Sequence, residues 1–465
     1  MDEINGIFIP SALVDEQKEI ARKLRDGCRG GLKAFVKTFG CQQNEADSEK
    51  IRGICALCGY QPAGDAESAD LVIINTCAIR EHAELRALSG TGQLKKLKAK
   101  KPSVLIAVCG CMAEQEYRRR QIFSSYPYVD FIFGTDRLFA LPSLLERALS
   151  GERHFCSLSE RSSGRFGSIC EGMPSLRSSS YKAWLPIMYG CDNFCTYCVV
   201  PYVRGRERSR APEAVISEAK ELIASGCRDI TLLGQNVNSY SGTRSFPALM
   251  GDIMSIDGDF WLRFMTSHPK DASEELVKVM GSSEKAARHF HLPVQSGSDA
   301  VLARMNRKYT SAQYLEKVGM IRANLPSAAV TSDIICGFPG ETDEDFLKTL
   351  ELAEKVRFDM LYIFVFSPRP GSAAARMDGQ IPHEEKVKRF EALSALQNGI
   401  SEKINEGYTG RTLKVLSDGV SDGVCSGRCS QNKIVTLDRP VPAGEFVNAE
   451  ITASRPYALA GRVKQ

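Results

Sequence analysis

The sequence predicts an α/β protein of several domains: an N-terminal parallel-sheet domain, a central complete or partial (β/α) barrel, and a small C-terminal β-barrel. Three observations carry this reading. From residue 33 on, short segments that are apolar almost throughout alternate with charged, helix-like stretches, as expected of parallel strands covered on both faces. From residue 180 the alternation repeats, and each apolar run enters a polar or Gly/Pro-rich loop, as in repeated β-α units whose chemistry gathers at the C-terminal strand ends. After residue 400 the runs become short and are separated by turn residues, which suits a small β-barrel.

The elements follow in order. Residues 1–32 form an N-terminal extension with a short helix over SALVDEQKEIARKLRDG. In the first domain, 33–150, KAFVKTFGC reads as a strand ending at Cys41, and NEADSEKIRGICALCGY as a charged helix. ADLVIINTC and SVLIAVCGC are stronger strands ending at Cys77 and Cys111, and YVDFIFGT is a candidate fourth. Residues 151–179, rich in Ser, Arg and Gly, read as a linker or exposed loop. In the barrel domain, 180–400, the strands are WLPIMYG, DITLLGQN, FWLRFMTSH, HFHLPVQSG, AAVTSDIICGFPG and FDMLYIFVFSPRPG, with helices such as SEELVKVMG and DEDFLKTLELAEKV between them. GRTLKVLSDG, NKIVTLDRP and EFVNAEITASRPYALAGRV supply the terminal barrel, 401–465.

Composition narrows the class. A chain of 465 residues, 43% hydrophobic and 25% charged, is ordinary for a globular protein and has room for a large core. No run approaches the roughly 18 uncharged apolar residues of a membrane helix. MDEINGIF lacks the basic-then-apolar order of a secretory signal, so a cytoplasmic location is expected. The net charge of +4 permits an RNA partner without demanding one. Sixteen cysteines are many for such a chain. Disulfides are disfavoured in reducing compartments, which leaves metal ligation and core packing as the expected uses.

Two groups of cysteines stand out. Cys191, Cys195 and Cys198, in GCDNFCTYC, follow C-x3-C-x2-C with no fourth soft ligand close in sequence. Zinc sites more often show two close pairs, or a pair with histidines. Three thiolates on one loop suit an iron–sulfur cluster with one iron left open, where S-adenosylmethionine would bind through its amino and carboxylate groups. Tyr197, between two of the ligands, either packs against the adenine or is a structural aromatic. The second group is Cys41, Cys77 and Cys111, each ending a predicted strand, 36 and 34 positions apart. In a parallel sheet they reach one edge and could hold a second cubane; the plainer alternative is small apolar residues at strand ends. Cys109 competes with Cys111 for the third place. Cys55 and Cys58 suit core or helix-end roles, and Cys28, Cys156, Cys170, Cys227 and Cys336 show no partner pattern. Cys425 and Cys429 fall in the terminal barrel.

Other candidates depend on position. Gly234, Gln235 and Asn236 follow DITLL, Gln295 and Ser296 end another strand, and Asp333 lies in a later one; these would line the S-adenosylmethionine site. His268, before Pro269, is a candidate for its wall. Arg204, Arg206, Arg208 and Arg210 in PYVRGRERSR suit phosphate clamping by planar, paired donors; the alternative is a solvated charge run paired with Glu207 or Glu213. Arg411, Lys414, Arg428, Lys433 and Arg439 give the terminal barrel a modest RNA footprint.

TFGCQQNEADSEK, INTCAIR, CGCMAE, GCDNFCTYCVVPYVRGRERSR, TLLGQNVNSY, FMTSHPK, HLPVQSGSD, TSDIICGFPGET and SPRPGSAA are long and collinear. On these stretches, nearly all of the chain from about residue 33 resembles the radical S-adenosylmethionine methylthiotransferase family. The resemblance implies a methylthiotransferase domain with an auxiliary 4Fe-4S cluster on Cys41, Cys77 and Cys111. It implies a radical barrel with a 4Fe-4S cluster on Cys191, Cys195 and Cys198, and an OB-like RNA-binding barrel called TRAM. It selects Cys111 over Cys109. The implied reaction is methylthiolation at C2 of N6-isopentenyladenosine 37, in the tRNA anticodon arm. One S-adenosylmethionine is the methyl donor; a second yields the 5'-deoxyadenosyl radical that takes the C2 hydrogen. The implied partners are tRNA, an electron donor such as flavodoxin or ferredoxin, and a sulfur source, with no membrane; a monomer is expected. Gln43 and Cys429 stand where the family more usually has methionine and threonine.

Rival readings are sister methylthiotransferases that act on N6-threonylcarbamoyladenosine 37 or on an aspartate of ribosomal protein S12. PYVRGRERSR with LLGQNVNSY favours the isopentenyl class. A rival of another class is a non-catalytic RNA-binding iron–sulfur protein, against which two separate three-cysteine sets argue.

Overall fold

In the computed structural model, which describes residues 8–27, 30–79, 81–159 and 168–464, the early apolar runs become strands β1 (Lys33–Thr38), β2 (Gln61–Pro62), β3 (Leu71–Thr76), β4 (Leu105–Gly110), β5 (Phe131–Phe133) and β6 (Phe155–Ser157). They form one parallel sheet in the order β2-β1-β3-β4-β5-β6. β3 and β4 are buried at every position, which explains why neither shows the apolar/polar alternation of a one-sided strand. Leu71, Ile73, Leu105, Ala107 and Cys109 pack on one face, Val72, Ile74, Ile106 and Val108 on the other. Each fully buried large side chain contributes about 1.5–3 kcal/mol.

The expected extension holds a helix, Ser11–Gly27; Cys28 lies outside the described residues, as do residues 160–167 of the expected linker. The described remainder of 151–179 departs from a loose connection. β6 is the sixth strand of the sheet, too short at three residues to show a period. Leu176 N donates to Glu49 O at 2.8 Å, and Arg177 Nη1 and Ser178 N reach the buried Glu49 carboxylate at 3.0 Å each. A Ser/Arg-rich composition thus conceals a segment clamped by one carboxylate.

The second run of units begins with β7 (Lys182–Pro186). β8 (Met188–Tyr189) and β9 (Arg208–Ser209) then pair with each other. β10 (Asp229–Leu233), β11 (Trp261–Phe264), β12 (His289–His291), β13 (Ala329–Cys336) and β14 (Met360–Val365) complete a set of parallel strands alternating with helices. Two sheets, β11-β10-β7 and β12-β13-β14, meet through Leu262, whose backbone bonds Lys285 and Ala287 just before β12. Six strands in this arrangement make a partial barrel. Helices 274–281 and 343–356 start where the sequence placed them, under Ser273 and a Thr342/Asp345 capping box.

β15 (Thr412–Ser421), β16 (Val424–Cys429), β17 (Ile434–Leu437), β18 (Phe446–Ser454) and β19 (Ala458–Val463) close into a barrel in the order β15-β16-β17-β19-β18. Its core includes Val415, Cys425, Cys429, Val435 and Ile451. This barrel is fastened to the partial barrel. Buried Arg263 of β11 pairs with Asp229 at 2.9 Å and donates to the carbonyls of Cys429 and Ser430 at 3.1 Å each. Lys433 meets Asp359 at 2.8 Å, and Trp261 packs edge-on against Phe446.

The chain divides into two units. One comprises the residues up to Ser178 with Met188–Asp192 and Cys198–Arg210; the other comprises Ser179–Ile187, Asn193–Tyr197 and all from Ala211 on. Among the described residues no helix is long and apolar enough to cross a membrane.

Candidate metal and cofactor sites

In an open parallel sheet, ligands bind beyond the carboxyl ends of the strands, where the strand order reverses. Here the reversal falls between β1 and β3. Cys41 lies just past β1 as the N-cap of helix Gln42–Leu57, Cys77 follows β3 directly, and Cys111 follows β4. Gly110, with φ of +92°, turns the chain there; a Cβ on it would stand 2.4 Å from Thr76 O, so only glycine fits. A buried amide pair fixes the first two cysteines. Asn44 Oδ1 accepts from Cys41 N at 3.3 Å, Asn44 Nδ2 donates to Thr76 O at 3.1 Å, and Asn75 Nδ2 donates to Asn44 O at 2.9 Å.

Cys111 is within electrostatic reach of both Cys77 and Cys41. Burial pushes the Cys111 thiol up to about 12; the Arg204 guanidinium pulls it back, and Cys77 and Cys41 push it further up. Ile79 N donates to Cys77 Sγ at 3.3 Å, and Arg204 Nε to Cys111 Sγ at 3.2 Å. Cys109 is different: it packs among Ala107, Phe133 and Leu105 in the apolar core, as do Cys55 and Cys58. Beside the edge is a cavity of about 50 Å³ lined by Asp47, Lys50, Tyr189, Arg204 and Arg208 among others.

The other triplet follows β8. Gly190 has φ of +71°, and a Cβ would meet Arg206 O at 2.1 Å. Cys191 and Cys195 are buried and Cys198 half-buried. Val200 N donates to Cys198 Sγ at 3.4 Å, and Arg307 Nη1 to Cys195 Sγ at 3.5 Å. Arg307 is 8% exposed. It also donates to Tyr309 OH and to Pro293 O, at 2.8 Å each, and Tyr309 OH donates to Val294 O at 2.8 Å. Tyr197 is half-buried against Val301, Met305, Phe338 and Phe366.

The expected cofactor-lining residues take varied positions. Gly234 and Asn236 are buried and Gln235 half-buried at the end of β10. Asn236 Nδ2 donates to Asp271 at 2.9 Å, while its buried Oδ1 has no partner among the described residues. Gln295 has φ of +74° and exchanges backbone bonds with Asp333 and Ile335. Ser296 is fully buried, its hydroxyl accepting from Ser298 N at 3.2 Å. Asp333 lies 3.5 Å from His291 Nε2. His268 lies edge-on to Tyr309 at 5.5 Å; burial, Arg307 and Lys270 lower its pKa to about 2, so the ring is neutral. A depression of about 680 Å³ between helices 212–224 and 246–254 holds none of these residues.

Two of the four arginines need correction as RNA contacts. Arg204 and Arg210 are each 4% exposed. Arg204 pairs with Asp47 at 2.7 Å, and Arg210 grips Glu171 at 2.6 and 2.8 Å. Neither is available to phosphate. Arg206 is exposed and 3.2 Å from Asp192. Arg208 is half-buried, its pKa lowered to about 10 by burial, and donates to the carbonyls of Arg204 and Arg206.

Asp47, Asn44, Asn75, Arg307 and Tyr309 were not singled out in the sequence. Asn75 carried a signal, a lone amide inside the apolar run LVIIN; Asp47 and Arg307 looked like ordinary charges on helical or loop stretches.

No three His, Cys, Asp or Glu side chains among the described residues close on a single metal ion. A cubane asks for a wider arrangement of three thiols, and hydrogen bonds to its sulfurs tune it. Cys77, Cys111, Cys195 and Cys198 each receive an N–H, so this donor set fits iron–sulfur groups.

A model of the Radical SAM superfamily matches residues 185–353, and one described as Uncharacterized protein family UPF0004 matches residues 33–134. The partial barrel with its three-cysteine loop is thus that of a radical SAM protein. The chain is similar to the tRNA-2-methylthio-N(6)-dimethylallyladenosine synthase of Thermoanaerobacter sp. (strain X514), 42% identical over 468 residues that cover 98% of each chain. It is 44% identical to that of Acetivibrio thermocellus over 97% of this chain and 95% of the other, and 45% identical to that of Carboxydothermus hydrogenoformans over 92% and 98%. The chain belongs to the tRNA-2-methylthio-N(6)-dimethylallyladenosine synthase family. Among solved structures, the radical S-adenosylmethionine methyltransferase TsrM from Kitasatospora setae shares the fold, with a TM-score of 0.56 and 12% identity over 84% of this chain and 79% of that one.

Proposed function

We infer that this chain is a cytoplasmic tRNA methylthiotransferase that uses S-adenosylmethionine to convert N6-isopentenyladenosine 37 to its 2-methylthio derivative. The observation that carries this is end-to-end similarity to synthases named for that product, at 42–45% identity. In this reading 33–150 is the methylthiotransferase domain, 180–400 the radical barrel and 401–465 the RNA-binding barrel. Cys41, Cys77 and Cys111 hold one 4Fe-4S cluster, and Cys191, Cys195 and Cys198 the other. Bound there, the clusters and S-adenosylmethionine supply single-electron and sulfur-transfer chemistry that side chains lack.

The chain's own residues bind, orient and exclude water. Ala78, Val199 and Val203 pack around Cys111 as an apolar cover. Asn236 Oδ1, buried and without a partner among the described residues, offers an acceptor for the amino group of S-adenosylmethionine. Tyr197, Gly234, Gln235, Gln295, Ser296 and Asp333 complete the cofactor's surroundings, with Ser296 acting from behind through its bonds to neighbouring backbone. Neutral His268 supports Tyr309 and moves no proton. Exposed Arg206 and the basic residues of the terminal barrel contact RNA phosphate; a loop adenosine needs little unstacking to be presented. Flavodoxin or ferredoxin supplies electrons, a separate sulfur source replenishes the auxiliary site, and the enzyme works as a monomer.

The test is an anaerobic reaction of reconstituted, reduced protein with S-adenosylmethionine and two tRNA pools, one carrying N6-isopentenyladenosine 37 and the other N6-threonylcarbamoyladenosine 37. Nucleoside mass analysis should find a methylthio gain in the first pool alone. A gain only in the second overturns the substrate, and no gain in either overturns the RNA reaction.

A further inference from the structure

The residues that follow Cys198 lead into the auxiliary cysteine edge. Cys198–Arg210 belongs to the same unit as Cys41, Cys77 and Cys111. A single helical turn, Val200–Val203, begins where Val200 N meets Cys198 Sγ and ends where Arg204 N bonds Val200 O at 2.8 Å. Val199 and Val203 of this turn pack against Ala78 and Cys111. Arg204 then turns fully inward. Its Nε donates to Cys111 Sγ at 3.2 Å and its Nη2 to Asp47 Oδ2 at 2.7 Å, while Asp47 Oδ1 accepts from Gln43 Nε2 at 3.3 Å.

Arginine–carboxylate pairs are frequently bidentate, with two parallel N–H donors on one carboxylate. Arg204 divides its donors between a carboxylate and a sulfur. We propose that Arg204 is a positioning residue for the auxiliary site: held by Asp47, it fixes Cys111 and the turn that follows Cys198, and it sets the charge felt by the auxiliary sulfurs. This rests on the cluster assignment made above. Reduction adds one electron to the cluster and breaks no bond, so a nearby positive charge favours the reduced form and a nearby negative charge opposes it. Arg204 and Asp47 therefore act in opposite directions, and the pair together leaves the site near balance.

The experiment uses the full-length chain carrying Cys191→Ala, Cys195→Ala and Cys198→Ala, reconstituted with iron and sulfide, so that only the auxiliary cluster is present. Its midpoint potential is read by dithionite titration under electron paramagnetic resonance. Arg204→Gln should lower the potential and Asp47→Asn should raise it, each by about tenfold in the reduction equilibrium, which is ~59 mV for a one-electron couple. Arg204→Lys, which keeps the charge, should stay near the parent. In the metal-free wild-type background, hydrogen exchange over 199–204 should quicken about tenfold in Arg204→Gln and less in Arg204→Lys. Shifts of the same sign in Arg204→Gln and Asp47→Asn, or no shift in either, overturn the charge role; unchanged exchange in Arg204→Gln overturns the positioning role. If Arg204→Gln takes up no cluster, Asp47→Asn decides, and a potential that fails to rise overturns the proposal. A parent that takes up no iron at all defeats the cluster assignment instead.

Discussion

Each of the two three-cysteine sets has one buried arginine donating to a sulfur, and the two arginines differ in what balances them. Arg204, at Cys111, is paired with the buried carboxylate of Asp47. Arg307, at Cys195, meets only neutral acceptors, Tyr309 OH and Pro293 O, and no carboxylate among the described residues pairs with it. The first set thus sits in a nearly neutral frame and the second beside an uncompensated cation. A cation in low dielectric favours whatever negative charge arrives beside it. The surroundings of Cys195 are therefore the more favourable to added negative charge, and those of Cys111 the more nearly balanced.

The largest effect separating the two arginines is in stability. Arg204→Met leaves Asp47 buried without its cation, and an orphaned buried charge costs roughly 3–5 kcal/mol. Urea denaturation of the metal-free protein should show that loss, and Arg204→Met with Asp47→Leu together should recover most of it. A double variant no better than the single one breaks the description of Arg204 and Asp47 as a compensated pair.

Arg307→Met should cost less, because it strands no charge. The acceptors Pro293 O and Tyr309 OH lose a donor each, about 1–3 kcal/mol for an unsatisfied buried group. Its functional cost should be the greater: 5'-deoxyadenosine formation should fall about 100-fold, the scale for losing one preorganised charge-stabilising donor, while folding persists. Stability loss exceeding that of Arg204→Met would reverse the comparison.

The sequence made the cysteine edge legible and left its charge frame hidden. Cys41, Cys77 and Cys111 were candidates because each ends a predicted strand, 36 and 34 positions apart, and a parallel sheet brings strand ends together; the family resemblance selected Cys111 over Cys109. The partial barrel was visible because its strands run apolar into Gly-rich loops such as GQN and GFPG. The closure of the terminal barrel was visible only as short strands; its fastening by Arg263 to the carbonyls of Cys429 and Ser430 leaves no pattern, since backbone acceptors look alike in any sequence. The arginine run misled for a related reason. Alternating Arg204, Arg206, Arg208 and Arg210 resemble a solvated phosphate clamp, but a short turn sends Arg204 inward while Arg206 stays exposed, and Glu171, far off in sequence, takes Arg210. Which charge is buried is decided by its partner, and the partners lie 157 and 39 positions away.

Acid should distinguish the second site by a smaller margin. His268 has its pKa lowered to about 2 by burial, Arg307 and Lys270, from the ordinary histidine value of 6.5. A depressed histidine contributes stability that is fully present above pH 6.5 and is lost as pH falls, because the unfolded chain takes the proton and the folded chain does not. At pH 5.5 the loss is about 1.4 kcal/mol. Buried His289 is lowered for the same first reason and adds to the slope. Denaturation at pH 7.5 and 5.5 should show a shallower acid loss in His268→Gln than in wild type. Arg307→Met should leave it nearly as in wild type, since burial is the larger cause and by itself keeps the ring from taking a proton at pH 5.5; an unchanged slope in His268→Gln would mean that this buried ring is not a source of the acid loss.

The finest test concerns Gln43, which supports Asp47 from the side opposite Arg204. Its Nε2 reaches Asp47 Oδ1 at 3.3 Å, at the long end for a hydrogen bond, while its buried Oε1 has no partner among the described residues. Gln43→Met gives up the weak bond and removes the unsatisfied oxygen at nearly equal volume. A typical net hydrogen bond is worth about 0.5–1.5 kcal/mol, and an unsatisfied buried acceptor costs about 1–3 kcal/mol. The balance should stabilise the metal-free chain by roughly 0.5–1 kcal/mol in urea, with Arg204 still neutralised by Asp47 alone. Destabilisation of that size or more would mean that Asp47 needs the amide to hold its rotamer, and the compensated frame around Cys111 would then depend on three residues.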